Sequence, residues 1–172
     1  ARGITSSITA TIEYDSRDDR LNPANGIYSN LSYEIAGIGG GLKYQELSTQ
    51  VRYFKNIFWD VVWRNNVSFA NLQSVDNVSD VPFTQRYQLG GAYTLRGFGA
   101  GSVGRRIFSQ FRYNQIGTND GNPFYVAGIS EEERQKRSNL IFGGSKQLIF
   151  QTELQYPLIK DAGLSGVFFY DM

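Results

Sequence analysis

Between Arg86 and Arg105 the chain reads RYQLGGAYTLRGFGAGSVGR, with glycine at positions 90, 91, 97, 99, 101 and 104 and one internal arginine, Arg96. Glycine at this density removes side-chain bulk and lets the backbone pack closely against another surface. A guanidinium carries five donors and no acceptor, so one held inside a tight turn requires carboxylate partners. The chemistry offered here is recognition by a forked cation. The chain contains no histidine and no cysteine. That removes the commonest general base, the commonest metal ligand, disulfides and thiolate zinc sites. No catalytic residue, metal or cofactor is expected, and the chain does not read as an enzyme.

The elements that must position Arg96 are strands. In SSITATIEYD, Ile8, Ala10, Ile12 and Tyr14 share one face and Thr9, Thr11, Glu13 and Asp15 the other, the period-two pattern of a strand over about 6–15. A polar turn with Pro23 and Asn25-Gly26 follows. Further strands are predicted over about 26–35, 42–54 and 59–72, with a turn at Lys55-Asn56-Ile57-Phe58, so that four strands form an up-and-down meander. Alternation then lapses over about 73–138, a long loop that holds the Arg96 segment. The charged run Glu131 to Arg137 within it reads as a solvated tip. Strands resume over about 147–156 and 164–171, the last nearly all apolar except for Ser165 and Asp171. No helix is expected.

Hydrophobic residues make up 41% of the chain, the net charge is +1 and the mean hydropathy is −0.35. Those totals suit a soluble domain, yet a membrane β-barrel has the same totals because only alternate residues meet lipid. No apolar run is long enough for a membrane-spanning helix. With charge so near neutral, nucleic acid is not an expected partner. Glu46, Gln50, Arg52, Arg64, Asn66, Gln151 and Glu153 enrich one face of the strands. Tyr14, Tyr53, Phe54, Phe58, Trp59 and Tyr156 fall near strand ends, where an interfacial girdle sits. Periodicity thus favours a membrane barrel, with a soluble β-sandwich binding module as the alternative.

Blander readings stand beside these. Arg96 could be a loop arginine in solvent. The glycines could cradle phosphate, but no G-x-x-x-x-G-K-[ST] is present. Asp15, Asp18 and Asp19 could bind calcium, although a turn held by Asx hydrogen bonds is the simpler reading. The N-x-S triplets at Asn30, Asn66 and Asn77 fit chance in a Ser/Asn-rich chain. Glu–Asp pairs could suggest a glycosidase, but no enclosing site goes with them.

Three segments resemble one family. LGGAYTLRGF is similar to the [VIL]RG[FY] signature of the large sixth extracellular loop of the Omp85 superfamily. DSRDDRLNPANGIYSNLSYE resembles its aspartate-rich strand–turn–strand, with Asp18, Pro23 and Gly26 at the turn. GGSKQLIFQTELQYPLIKDAGLSGVFFYDM resembles the strand pair after the loop, and its ELQYPLIKDAGLSGVFFYD run is most similar to the barrel-assembly branch. The resemblance implies an antiparallel up-and-down transmembrane β-barrel of roughly sixteen strands. This chain would supply about six of them and a long inward-folded extracellular loop. It implies that Arg96 meets Glu153 and Asp171, with Gly97 giving close approach and Phe98 an apolar plug. Glu153 lies on the polar face of its strand, and Asp171 is the one charge in an apolar run. The implied function is insertion of β-barrel proteins into the bacterial outer membrane. Implied partners are outer-membrane lipids, unfolded β-barrel proteins and, through POTRA domains absent from these residues, accessory assembly lipoproteins. A two-partner-secretion or other translocase pore of the same family is the alternative. The start at Ala1-Arg2-Gly3, with no signal peptide, suggests part of a longer chain.

Overall fold

The computed structural model describes residues 5–39, 43–75, 81, 83–109, 113–114, 128, 130–159 and 162–172. Its strands are β1 (Ser7–Asp15), β2 (Gly26–Ala36), β3 (Tyr44–Phe58), β4 (Val61–Ser74), β5 (Arg106–Phe108), β6 (Asn139–Ile141), β7 (Lys146–Ile159) and β8 (Leu164–Asp171). Six form one antiparallel sheet in the order β1-β2-β3-β4-β7-β8, while β5 and β6 pair separately. Chain order and sheet order agree except where the loop carrying β5 and β6 intervenes. The sheet is a single layer whose outer strands, β1 and β8, each have one neighbour in it.

Alternation sorts the side chains onto two surfaces. Ile12 is 73% exposed, Leu148 62% and Phe168 76%, and Leu31, Tyr33, Val51, Val67, Phe69, Leu154 and Tyr156 are exposed on the same face. In water a contiguous apolar face of this extent would be covered by a second layer. Among the described residues none covers it, so the two-sheet sandwich does not form. Polar groups on that face find partners inside the sheet. The Trp63 indole donates to Thr152 Oγ1 at 2.9 Å, and the Tyr33 hydroxyl to Gln45 Oε1 at 2.9 Å. Hydrocarbon is the solvent such a surface fits, since lipid offers no partners of its own.

Two strands run further than alternation indicates. β3 continues through Lys55–Phe58, where the sequence suggests a turn, because Lys55 pairs with Trp63 and Asn56 with Val62. The reversal falls on Trp59 and Asp60, whose φ values of 46° and 63° are both left-handed. That is the geometry of a tight hairpin, built from residues that do not advertise it. β7 runs through Pro157 to Ile159 because the register shifts between Pro157 and Ile159, and a bulge tolerates a missing N–H.

The loop region also holds more structure than its lack of periodicity suggests. The charged run is a short helix, α1 (Glu131–Arg137), with Ser130 Oγ accepting from the Glu133 N–H at 3.3 Å. Acids occupy its first turn and bases its last, and Arg137 pairs with Glu133 at 2.6 Å. An all-polar helix has no apolar stripe to reveal it, but Ser-x-x-Glu at 130–133 is a capping signal. Asn77 and residues 160–161 of the last turn lie outside the described residues. Where the loop leaves the sheet, Ala36, Tyr44, Leu72 and Val81 form a small buried cluster with Tyr87 packed against it.

Leu31 and Ser32 are neighbours on β2 that face opposite solvents. Leu31→Arg should cost about 2–4 kcal/mol of folding free energy in a bilayer, and Ser32→Arg less than about 1 kcal/mol. Denaturant titration of the membrane-embedded protein reads the difference. Equal penalties would mean that the apolar face does not meet lipid.

Candidate functional site

Residues 89–103 fold on themselves before they touch the sheet. Leu89 and Val103 exchange backbone hydrogen bonds of 2.8 Å, and the Gly91 N–H donates to the Phe98 carbonyl at 2.9 Å. The Thr94 hydroxyl brackets Gly90, accepting from its N–H at 2.9 Å and donating to its carbonyl at 3.0 Å. A Cβ on Gly90 would meet the Gly99 carbonyl oxygen at 2.2 Å, and φ there is +114°. Close approach is therefore made at Gly90. Gly97 has φ +86° with nothing within 4 Å of a Cβ, so left-handed backbone is what requires glycine there. Phe98 is 57% exposed and forms no plug against this wall. Both findings correct the expected roles of Gly97 and Phe98. The turn buries Leu95 and presents Arg96 to the sheet.

Arg96 is met from three sides. Its Nε donates to Asp171 Oδ2 at 2.7 Å and its Nη2 to Oδ1 at 2.5 Å, a bidentate fork, while its backbone N–H reaches Oδ2 at 3.0 Å. Nη1 donates to Glu153 Oε1 at 3.1 Å. The guanidinium carbon lies 3.8 Å from the centre of the Phe169 ring, a cation–π contact. The Asp171 side chain is only 3% exposed, against 21% for Arg96 and 28% for Glu153. The Asp171 hydrogen bond, with further help from Glu153, raises the Arg96 pKa above its ordinary value, so the guanidinium stays charged throughout.

Register explains why these groups converge. Glu153 lies opposite Phe169 and Gln151 opposite Asp171 on the β7–β8 pair. Residues two apart on a strand share a face, so the four form a two-by-two patch. Gln151 and Phe169 were not apparent as site residues from the sequence, although each stands two positions from an expected acid. Gln151 Nε2 donates to the Thr94 carbonyl at 2.9 Å.

The aspartate-rich turn lies at the opposite end of the strands. The Asp18 carboxylate accepts from the backbone N–H groups of Asp19 (2.9 Å), Ala24 (3.0 Å) and Asn25 (3.0 Å). Asp15 forks onto Arg17 through two contacts of 2.9 Å. Asp19 accepts from the Leu21 N–H at 2.7 Å. A Cβ on Gly26, where φ is +117°, would meet the Ser16 carbonyl oxygen at 2.5 Å. The three aspartates are thus engaged by amides and a guanidinium, and the turn reaches the wall through Arg64, whose Nη2 donates to Asn22 Oδ1 at 2.8 Å.

The sheet thus carries the Arg96 loop on its polar face and leaves its apolar reverse side bare. The family model for the Omp85 superfamily domain matches residues 2–172. The chain belongs to the Omp85 superfamily. Its sheet is part of an outer-membrane β-barrel of that superfamily, the fold class expected from the alternation and the three segments. A SAM50-like protein of Drosophila melanogaster is 27% identical over 101 residues, which span 59% of this chain and 23% of the fly protein. The sorting and assembly machinery component 50 homolog of Xenopus tropicalis is 28% identical over 103 residues, 59% of this chain and 22% of the frog protein. Among solved structures, BamA of Haemophilus ducreyi lacking POTRA domains 1–3 superposes with a TM-score of 0.72 at 20% identity. That superposition covers 96% of this chain and 29% of the other. The chain therefore spans less than a quarter of the length of these curated relatives.

Two expected outcomes follow from the site. Asp171→Ala should weaken seating of the loop by about 2–4 kcal/mol, near the cost of unpairing a buried charge. Glu153→Gln, which loses one longer contact at a more exposed position, should cost about 1 kcal/mol, and Arg96→Lys should fall between them because lysine lacks the fork. Protease sensitivity of the 89–103 segment in the folded barrel orders the three, and the reverse order would contradict the geometry. In the aspartate turn, hydrogen bonds from Asn25, Ala24 and Asp19 hold the Asp18 carboxyl below its ordinary range. Its contribution to the turn is complete above the unfolded carboxylate value of about 3.9 and is lost as pH falls through the lower folded value. The protection of the Ala24 and Asn25 amides, with the intrinsic pH dependence of exchange divided out, should therefore hold from neutral pH to about 4 and fall only below it.

Proposed function

We propose that this chain forms wall strands and the folded-in loop of an outer-membrane β-barrel assembly insertase. The observation that carries the reading is Arg96, forked onto Asp171 and bonded to Glu153 from a loop folded over the polar face. The matched relatives named as sorting and assembly machinery components support an assembly role. The superposition on the BamA barrel reaches 96% of the chain, which supports the barrel fold; the location proposed with it is the bacterial outer membrane.

Insertion of this kind makes and breaks no covalent bond. An unfolded client strand pairs with an exposed strand edge of the complete barrel, which is β-augmentation driven by backbone hydrogen bonds. The wall described here keeps the barrel competent for that exchange. Its apolar face holds it in outer-membrane lipid. Its polar face seats the loop, and Arg96, Glu153, Asp171 and Phe169 form the latch that keeps loop and wall in one arrangement. A latch worth more than about 1.4 kcal/mol changes the ratio of seated to unseated loop tenfold or more. Accessory lipoproteins would engage POTRA domains elsewhere in the protein.

The test uses the complete protein in liposomes and follows the folding of a urea-denatured β-barrel client added outside. Arg96→Ala should slow client folding about tenfold while the variant itself still folds and inserts. Wild-type rates in both Arg96→Ala and Asp171→Ala proteins would end the latch reading, and no acceleration by the unaltered protein would end the insertase reading.

A further inference from the structure

A row of side-chain amides crosses the polar face beneath the loop. Gln50 Nε2 on β3 donates to Asn66 Oδ1 on β4 at 2.9 Å. Asn66 Nδ2 donates in turn to Gln151 Oε1 on β7 at 2.7 Å, and Gln151 Nε2 donates to the Thr94 carbonyl of the loop at 2.9 Å. The near end is anchored as well, because the Gln50 backbone N–H donates to Asn30 Oδ1 on β2 at 3.1 Å.

The direction of the row follows from its last member. A backbone carbonyl can only accept, so Gln151 must turn its NH2 group toward Thr94. Its oxygen then faces Asn66, which must donate, and the Asn66 oxygen faces Gln50, which must donate as well. Each amide fixes the next, and all the donors point toward the loop. The Arg96 fork is directional as well, and its acceptor Asp171 is also bonded by Gln151; the amide row differs in being uncharged and in passing its orientation from strand to strand.

We propose that Gln50, Asn66 and Gln151 form a directional amide relay that positions the loop at Thr94, two residues before Arg96, as an uncharged contact beside the ion pair. Asn66 does not touch the loop; it is a positioning residue that acts by holding the Gln151 amide in the donating orientation. The inference rests on the loop-and-wall reading above and extends it to a second, uncharged contact.

Asn66→Asp separates this role from a merely structural one. A carboxylate there still accepts from Gln50 but cannot donate to Gln151. The Gln151 amide then turns its NH2 toward the new acid and sets its oxygen against the Thr94 carbonyl. Asn66→Leu removes the partner but leaves Gln151 able to donate to Thr94. These residues contain no cysteine, so once any cysteine elsewhere in the complete protein is replaced by serine, nitroxide labels introduced through Leu21→Cys and Tyr93→Cys report the turn-to-loop distance. Both positions are more than nine-tenths exposed.

In the complete protein in liposomes, Asn66→Asp should broaden the distance distribution at least twofold, and Asn66→Leu clearly less. In a Gln151→Met background Asn66→Asp should add nothing, since no amide remains to turn. Equal broadening by Asn66→Asp and Asn66→Leu, or an Asn66→Asp effect that persists beside Gln151→Met, overturns the relay. Arg96→Ala measured with the same labels reports the ion-pair latch separately. An unchanged distribution in that variant counts against the latch, while the contrast between the Asn66 variants still decides the relay.

Discussion

Each strand of the six-stranded sheet meets two media, hydrocarbon on one side and a polar interior on the other, and every other feature of the chain is a consequence of satisfying both. The side facing lipid cannot supply hydrogen bonds, so its few polar groups close on one another, as Trp63 does with Thr152. The side facing the interior can hold charge only where charge is matched. Arg96 finds its matching acids on that side in Asp171, whose side chain is almost fully enclosed, and in Glu153. The period-two backbone lets a single run of residues meet both demands, because neighbours along the strand never compete for the same surface.

Holding a loop against such a wall is a problem of geometry as much as of attraction. The 89–103 segment solves part of it internally, with its own backbone bonds and a hydroxyl bracket at Gly90, so that little conformational freedom remains to be lost on docking. The fork from Arg96 to Asp171 supplies strength, the Phe169 ring limits where the guanidinium can lie, and the Thr94 carbonyl meets a neutral donor from Gln151. The groups that touch the loop, charged and neutral, fall on β7 and β8, and the amide row behind them runs back through β4 to β3. The loop is accordingly tied to one part of the wall, and the aspartate-rich turn at the far rim is stabilised by a separate set of bonds.

The legible and illegible parts of this chain divide along physical lines. Strand existence could be read because one face of each strand is apolar, and the acids of the site because a carboxylate on a polar face or in an apolar run stands out. The extent of β3 and β7 could not, because the hairpin falls on Trp59-Asp60 and a bulge absorbs Pro157; both are choices made by pairing with the neighbouring strand. The helix at Glu131–Arg137 has no amphipathic stripe, and only its Ser130 cap announces it. Gly97 stands beside the arginine yet approaches nothing, while Gly90, seven residues earlier, is pressed against the Gly99 carbonyl.

The amino-acid sequence by itself determined the two-faced strands, the absence of thiol and imidazole chemistry, and the presence of an arginine that needs acids. These are properties of residue type and spacing, and they hold whatever the chain packs against. Tertiary structure alone decided that Glu153, Gln151, Phe169 and Asp171 make one patch, that the amides of three strands line up in one direction, and that the loop comes down on their last donor. Those facts depend on strand register. Register is set by cross-strand pairing between residues up to about a hundred positions apart, and no local pattern in the chain encodes it.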